Sequence, residues 1–441
     1  MISAPDVLAL VQQRDVRFIR LWFTDILGNL KSFAIAQDEL NNALANGMGF
    51  DGSSIAGFSA VQEADMVAVP DANTFAVLPY RPAESAVARM FCDIRLPDGA
   101  PYEGDPRHVL RRALNRAEDM GFDHFYVGPE LEYFYFRDAE GTEVLDNGGY
   151  FDLTTLDAAS DLRRDTVMAL EAIGIDIAYS HHEGSPSQHE IDMRYGDALQ
   201  MADNVMTYRT IVKEVAHAHG CYATFMPKPL SGVNGSGMHT HMSLFRGDQN
   251  AFHSTDDPLA LSATGRAFIA GVLRHARELS CVFAQWVNSY RRLVPGFEAP
   301  VYVGWSRRNR SAIARVPGHH PGRAEAARVE LRSPDPACNP YLTFAALLQA
   351  GLEGIEKGYE LPEEMQQNLY ELTPDERRRT GIESLPENLG DAIELGAGSE
   401  LLLTCLGEHI HSRLVDLKRA EWDEYRGQES TGELARYLSR L

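Results

Sequence analysis

Three short stretches of this chain place charged or metal-capable residues two positions apart: Glu130 and Glu132 in PELEYFYF, His239 and His241 in GMHTHMSL, and Arg328, Glu330 and Arg332 in ARVELRS. A strand has a side-chain period of two, so each set projects from one face while Leu131, Tyr133, Val329 and Leu331 project from the other. Such strands belong in a sheet that is apolar on one side and crowded with ionisable groups on the other. A half-exposed antiparallel sheet with a salt-bridged outer face gives the same alternation. The mixture of groups favours a site: carboxylates and imidazole suit divalent cations, and guanidinium forks suit a carboxylate or phosphate.

At 441 residues the chain is too long for one typical core, and two domains with one dominant are expected. Its 41 basic and 63 acidic residues leave a net charge of −22, which repels nucleic acid and anionic lipid, so neither is expected as a partner. Cys92, Cys221, Cys281, Cys338 and Cys405 are scattered without a CxxC spacing and indicate neither a disulfide framework nor a thiolate metal site. A reduced, cytoplasmic setting is expected. It fits an opening segment, MISAPDVLALVQQRD, that gains acidic and polar residues too early for a signal sequence. No stretch reaches the apolar length of a membrane span.

Residues 1–100 read as a small α+β unit. A short helix starts at Pro5, RFIRLWFTDILGNLKSFAI reads as a hairpin around Gly28-Asn29, and TFAVLPYR and AVARMFCDI read as further strands. Pro97-Asp98-Gly99-Ala100-Pro101 forms a joint, after which Asp105-Pro106 caps a helix and opens a second domain, 105–441. There, helices near 161–173, 197–219, 263–288 and 340–358 interleave with the alternating strands, the last capped by Asn339. Strands and helices in blocks, without regular βαβ alternation, predict an α+β fold. The acidic run ELPEEMQQNLYELTPDERRR, near 360–379, reads as a solvated helical excursion.

HHEGSPSQHEID supplies Glu183 and Glu190 on either side of a Ser-Pro turn that can fold them together. With Glu130, Glu132, Glu330 and His239 they make five carboxylates and one imidazole, enough for two clustered divalent ions with open positions for substrate oxygens. Magnesium or manganese suits this set better than zinc. His181 and His182 read as supporting residues behind the ligands. The glycine-rich GVNGSGMH loop precedes a strand and lacks P-loop spacing; its use is to let backbone groups and Asn234 approach a small ligand. RRLVPGFEAP reads as a lid carrying Glu298, and WSRRNRSAIAR gathers Arg307, Arg308, Arg310 and Arg315 where an anion is expected.

Together with DGSSI and RVELRSPDPACNPY, these motifs resemble those of the glutamine synthetases of the bacterial class I type, over nearly the whole chain. The resemblance implies an N-terminal β-grasp domain and a catalytic domain whose antiparallel sheet forms an open half-barrel. It also implies a dodecamer of two stacked hexameric rings, each site completed by a neighbour's N-terminal domain. By motif, Glu132, Glu183 and Glu190 would hold one ion and Glu130, His239 and Glu330 the other, with two or three Mg2+ or Mn2+ per site. Arg292, Arg310, Arg332, Asn234 and Gly235 would hold glutamate; Tyr195, His241, Ser243, Arg315 and Arg328 would lie along ATP. Asp51 would bind and deprotonate ammonium, Arg310 would offset charge on the transferring phosphate, and Glu298 would close over an acyl phosphate.

The reaction so implied is ATP-dependent ligation of ammonia to L-glutamate through γ-glutamyl phosphate, giving L-glutamine, ADP and phosphate. Relatives that ligate glutamate to polyamines or ethanolamine share several of these segments, and a non-catalytic structural or regulatory assembly on the same fold is a third reading. The short interval from Glu183 to Glu190 aligns the chain with the shorter α-type enzymes. Tyr370 resembles a tyrosine that is adenylylated in longer members, Ala60 replaces a feedback-sensing arginine, and Ala178 stands where the family has an ATP-site glutamate. STGELARYLSRL, with Leu434, Tyr437, Leu438 and Leu441 at helical spacing, resembles a terminal helix that plugs into the opposite ring.

Overall fold

In the computed structural model, residues 2–57, 65–153, 155–257, 259–296, 299–318, 322–367, 370–373, 375–376, 379 and 381–428 are described. The first hundred positions build a small mixed sheet from β1 (Val16–Thr24), β2 (Leu30–Ala36), β3 (Met48–Asp51), β4 (Asp65–Pro70), β5 (Ala76–Val77) and β6 (Ala86–Arg95). The strand order is β2-β1-β6-β4-β3, with β5 on β6, and the central β1–β6 pair is parallel. The expected hairpin forms because the Asp25 carboxylate accepts hydrogen bonds from the Leu27 and Asn29 N–H groups while Gly28 takes φ +81°. Helix α1 (Ala4–Gln13) buries Val7 and Val11, and α2 (Leu40–Asn46) buries Leu40 and Ala43. TFAVLPYR yields only the two-residue β5, because Asp71 caps a 3-10 turn over Ala72–Thr74 that uses the start of the run.

The rest of the chain wraps helices behind one large curled sheet. Its strands are β7 (His124–Phe136), β8 (Ile177–His182), β9 (Gln188–Met193), β10 (Gly196–Asp197), β11 (Tyr222–Thr224), β12 (Met238–Arg246), β13 (Gln249–Asn250), β14 (Tyr302–Ser306), β15 (Ala312–Arg315) and β16 (Val329–Leu331). The main order is β14-β15-β16-β12-β7-β9-β8. The pairs are antiparallel except β14–β15 at one edge, which is parallel where wholly antiparallel pairing was expected. The helices are α3 (Pro106–Asp119), α4 (Ser160–Ala172), α5 (Ala198–Ala218), α6 (Ala263–Phe283), α7 (Ser289–Arg292), α8 (Pro340–Lys357), α9 (Leu389–Ala397) and α10 (Glu400–Arg426).

The odd-numbered residues of β7, Leu131, Tyr133 and Tyr135, are fully buried in the same core as Val205, Tyr208 and Ile211 of α5, which leaves the even-numbered face free for polar groups. Helix α6 ends at Phe283, short of 288, because Gln285 turns away to donate to the Leu27 and Ala337 carbonyls. The acidic run near 360–379 is not a continuous helix. Its first part is irregular and pinned to β14: Met365 is buried and donates its N–H to the Trp305 carbonyl, and Glu364 pairs with Arg307.

The joint between the sheets is tightly bonded. One Asp105 oxygen caps α3 through the Arg107 N–H, and the other accepts from the Ile94 N–H of β6. The buried Arg107 guanidinium pairs with Asp71 and Asp93 of the small unit and with Asp203 of α5. Asn339, the N-cap of α8, donates to the Asp25 and Ile26 carbonyls of the β1–β2 turn. No described helix is long and apolar enough to cross a membrane.

Candidate active site

Strand register assembles the polar residues into rungs. Glu132 of β7 faces Glu190 of β9, and Glu190 faces His181 of β8. One rung along, Glu130 lies between Asp192 of β9 and His239 of β12. A third rung runs from His241 to Glu330 to Arg315 across β12, β16 and β15. Glu130, Glu132, Glu183, Glu190, His239, Glu330, Asn234, Arg310, Arg315 and Arg332 line one cavity of about 550 Å³.

Within it, His239 Nδ1 is 3.5 Å from both Glu130 Oε2 and Glu330 Oε1. Burial alone would raise Glu130, but hydrogen bonds from His239 and His241 outweigh it and hold the carboxyl well below its ordinary range. Arg328 Nε donates to His241 Nδ1 at 3.2 Å, which puts the imidazole proton on Nε2, where it is donated to Glu130 Oε1 at 2.8 Å. Glu330 is held low against its burial by His239, His241 and Arg332, and Arg315 Nη1 donates to it at 3.1 Å.

The second group is short of cations. Glu132 Oε2 accepts from Gln188 Nε2 and the Gly237 N–H, and burial together with the Glu183 charge pushes the Glu132 carboxyl up to about 8. Glu190 is raised by burial and by Asp192 and Glu132. His181 Nε2 stands 2.7 Å from Glu183 Oε1 and 3.6 Å from Glu190 Oε2, so the imidazole lies against both carboxylates. Carboxylates packed this closely without a cation repel one another, and this oxygen-rich donor set fits divalent ions such as Mg2+ or Mn2+. His182 Nδ1 meets the Glu183 carbonyl and its Nε2 meets Asp146 Oδ1, which ties the Glu183 turn to Asp146.

A second cavity, about 650 Å³, borders the first and holds Tyr195, His241, Ser243 and Arg328 with Gly128, Ala178 and Asp192. Ala178 is bulged out of β8, between the Ile177–Met193 and Tyr179–Asp192 pairs. Arg292 lies behind the first cavity: its Nη1 donates to the Ser333 and Pro334 carbonyls and its Nη2 to that of Arg332. Gly235 is there for close packing, since a Cβ would collide with the Pro227 carbonyl and crowd Arg292. Asp51 is exposed at the end of β3 and lines neither cavity; the Ser53 N–H holds its carboxyl below the usual range. Tyr370 donates its hydroxyl to the Ala299 carbonyl. Glu298, Ala60 and the segment from Leu434 to Leu441 lie outside the described residues. Asp192 and Tyr179 went unused in the sequence reading, although Glu190 and Asp192 in QHEID repeat the alternation of PELE.

A small β-grasp sheet joined to a curled, largely antiparallel half-barrel that gathers ionisable groups on its open face defines a two-domain enzyme whose catalytic unit is the second and larger part. Residues 15–97 match the pattern of the glutamine synthetase β-Grasp domain and residues 103–437 that of the glutamine synthetase catalytic domain. A glutamine synthetase of Mycolicibacterium smegmatis is 55% identical over 439 residues, covering 98% of each chain, and one of Methanosarcina mazei is 52% identical, covering 99% of this chain and 98% of its own. A solved structure titled GmaS/ADP complex superposes with a TM-score of 0.89 at 31% identity, covering 98% of this chain and 99% of that one. Plasmodium falciparum glutamine synthetase shares the fold, with a TM-score of 0.89 at 24% identity over 99% of both chains. The chain belongs to the glutamine synthetase family and is a ligase.

Proposed function

We propose that this protein makes L-glutamine by ligating ammonia to the side-chain carboxylate of L-glutamate, with ATP as the activating co-substrate. The observation that carries the reading is the single cavity in which Glu132, Glu183 and Glu190 adjoin Glu130, His239 and Glu330, with Arg310, Arg315 and Arg332 in the same lining. Acid groups and guanidinium groups interleaved in one cavity suit two anionic reactants brought together through cations. When bound, two or three Mg2+ or Mn2+ ions held by these six residues would neutralise charge on the transferring phosphoryl group.

This chain's own residues do the rest. Arg332 and Arg310, with Asn234, hold glutamate, and Arg292 and Gly235 shape the wall behind it. Tyr195, Ser243, Arg328 and His241 line the nucleotide, with Arg315 at the phosphate end beside Glu330. A glutamate carboxylate oxygen attacks the γ-phosphorus, and ADP leaves with the bonding pair, while Arg310 offsets the growing charge. Asp51, ionised at neutral pH, attracts ammonium and takes a proton from it; the free ammonia attacks the acyl carbon of γ-glutamyl phosphate, and phosphate leaves with the C–O bonding pair and takes up the surplus proton shed by the nitrogen. By its motif, Glu298 would shield that intermediate from water.

Asp51 lines neither cavity of its own chain, which supports a site completed by a neighbour within a dodecamer of two hexameric rings. Residues 1–100 and 105–441 serve as the two domains. A cytoplasmic setting accords with a net charge of −22 and scattered cysteines. The test is phosphate release with ATP, glutamate and Mg2+, comparing ammonium with putrescine, ethanolamine and methylamine. Ammonium should give the highest kcat/KM; a clearly higher value for a larger amine would replace ammonia as the acceptor.

A further inference from the structure

Arg310 sits on the turn between β14 and β15, and that turn is stretched. The two strands run parallel with Tyr302 beside Ala312, so residues 307–311 must carry the chain back along the whole of β14. A parallel connection ordinarily takes about a dozen residues or more, and one this short relies on bonds from outside to hold its course. Inside the turn, Ser306 Oγ accepts from the Arg308 and Asn309 N–H groups at 3.2 and 3.0 Å, and Asn309 Oδ1 accepts from the Ser311 N–H at 2.9 Å. On the inner side, Arg332 Nη1 donates to the Arg310 carbonyl at 2.7 Å. On the outer side stands Glu364, from the irregular segment pinned to β14. Its Oε1 accepts from the Arg307 N–H at 2.9 Å and from the Ser306 hydroxyl at 3.3 Å, and its Oε2 pairs with Arg307 Nη2 at 2.8 Å. The side-chain hydrogen bonds from Arg307 hold the Glu364 carboxyl below its usual range, so the clamp is ionised at neutral pH.

Arg310 also stands where two cavities meet. It lines the first cavity and an adjoining one of about 610 Å³, bounded by Arg307, Arg308, Asn309, Glu364 and Tyr370, and it is the one lining residue the two have in common. Among the described residues, no hydrogen bond or ion pair holds its exposed guanidinium. Its direction is therefore set through the backbone, by Arg332 on its own carbonyl and by Glu364 through Ser306 and Arg307. Loss of the outer bonds frees the turn from β14 and gives the guanidinium access to the neighbouring cavity. A catalytic group displaced by about 1 Å loses up to about a hundredfold in rate, so the clamp matters to a cation that must meet charge developing on a phosphoryl group.

We propose that Glu364 is a positioning residue for phosphoryl transfer: by clamping Ser306 and Arg307 it keeps Arg310 turned into the first cavity. The inference rests on reading Arg310 as the group that offsets charge on the transferring phosphate. Glu364→Ala, Glu364→Gln and Arg310→Ala, alone and combined in the assembled enzyme, test it by turnover, Mn2+ binding and amide hydrogen exchange. Glu364→Ala should lower kcat by at least about tenfold while Mn2+ affinity stays within about twofold of wild type. Exchange should quicken across residues 306–311 and stay unchanged in β7 and β12, which carry Glu130 and His239. Glu364→Gln keeps an acceptor for the Arg307 N–H and should fall between. Added to Arg310→Ala, Glu364→Ala should cost nothing further, because the clamp works through that guanidinium. The exposed neighbour Glu363→Gln should keep the wild-type kcat. An unchanged kcat in Glu364→Ala, a full second loss on the Arg310→Ala background, or faster exchange spreading into β7 and β12 would overturn the assignment. The exchange pattern decides even where Arg310→Ala turns over too slowly to show a second loss. A wild-type kcat in Arg310→Ala would instead remove the phosphoryl role of Arg310, and the assignment with it.

Discussion

Replacing Glu132 by Gln should make the metal-free protein more stable at neutral pH while removing its response to divalent ions. The Glu132 carboxyl ionises near 8 in the fold against 4.5 when free, because burial and Glu183 oppose the charge. Below 4.5 both states are protonated and nothing is lost. Between 4.5 and about 8 the unfolded chain ionises first, so the fold loses stability as pH rises, and above about 8 the loss is complete. At pH 7 the gap of 2.5 units corresponds to about 3 kcal/mol, brought down to roughly 2 kcal/mol because the carboxylate rim faces the cavity. At pH 5 it is under about 1 kcal/mol. Gln avoids the ionisation and can keep both hydrogen bonds, from Gln188 and the Gly237 N–H. For a chain of 441 residues, with unfolding entropy of about 2 cal/mol/K per residue, the gain is about 2 °C in Tm at pH 7. Melting curves of wild type and Glu132→Gln in chelator at pH 5 and pH 7, then with Mn2+, read each part: Mn2+ should raise the wild-type Tm and move the variant far less. A variant that melts lower than wild type in chelator at pH 7, or one whose gain is as large at pH 5, would refute the reasoning.

Three further outcomes can be checked on the same assembly. Mixing an Asp51→Ala chain with a Glu330→Ala chain at equal amounts, after dissociation and reassembly, should recover about one quarter of wild-type activity, the share of random interfaces that pair an intact Asp51 with an intact ion site; no recovery in confirmed mixed oligomers would mean that each chain builds its own site. Gly235→Ala should lower kcat/KM for glutamate by at least about tenfold, since the added Cβ forces the Asn234 loop away from Pro227 and Arg292; unchanged kinetics would show that the loop gives way freely. Arg107→Leu leaves Asp71, Asp93 and Asp203 without their shared cation and should destabilise the chain by about 3–5 kcal/mol in denaturant unfolding, and a loss under about 1 kcal/mol would show the network to be incidental.

Which face each strand presents was legible from alternation alone, and PELE, HTH and RVELR all do share one surface. Register was not. Nothing local says that Glu132 faces Glu190 while Glu130 faces Asp192, because that offset depends on the turn closed by Ser187 at φ +57°. Asp192 was therefore passed over even though QHEID has the same spacing as PELE. Caps were readable where one side chain does the work, as at Asp105 and Asn339. The end of α6 and the irregular path near Met365 were not, since long-range bonds from Gln285 and to Trp305 decide them.

Because buried Asp105 and Arg107 rivet the small sheet to α3 and α5, and Asn339 holds the β1–β2 turn against α8, the two sheets have no hinge between them. A swing of the small sheet would have to break several buried ionic bonds at once, far more than a reaction cycle can spare. If each site borrows Asp51 from its neighbour, its reach is fixed once, when subunits associate, and stays the same through every turnover. A defect at this seam, remote from every reacting atom, would surface as misaligned ammonium delivery in the adjoining subunit while the damaged chain kept its own ion site whole.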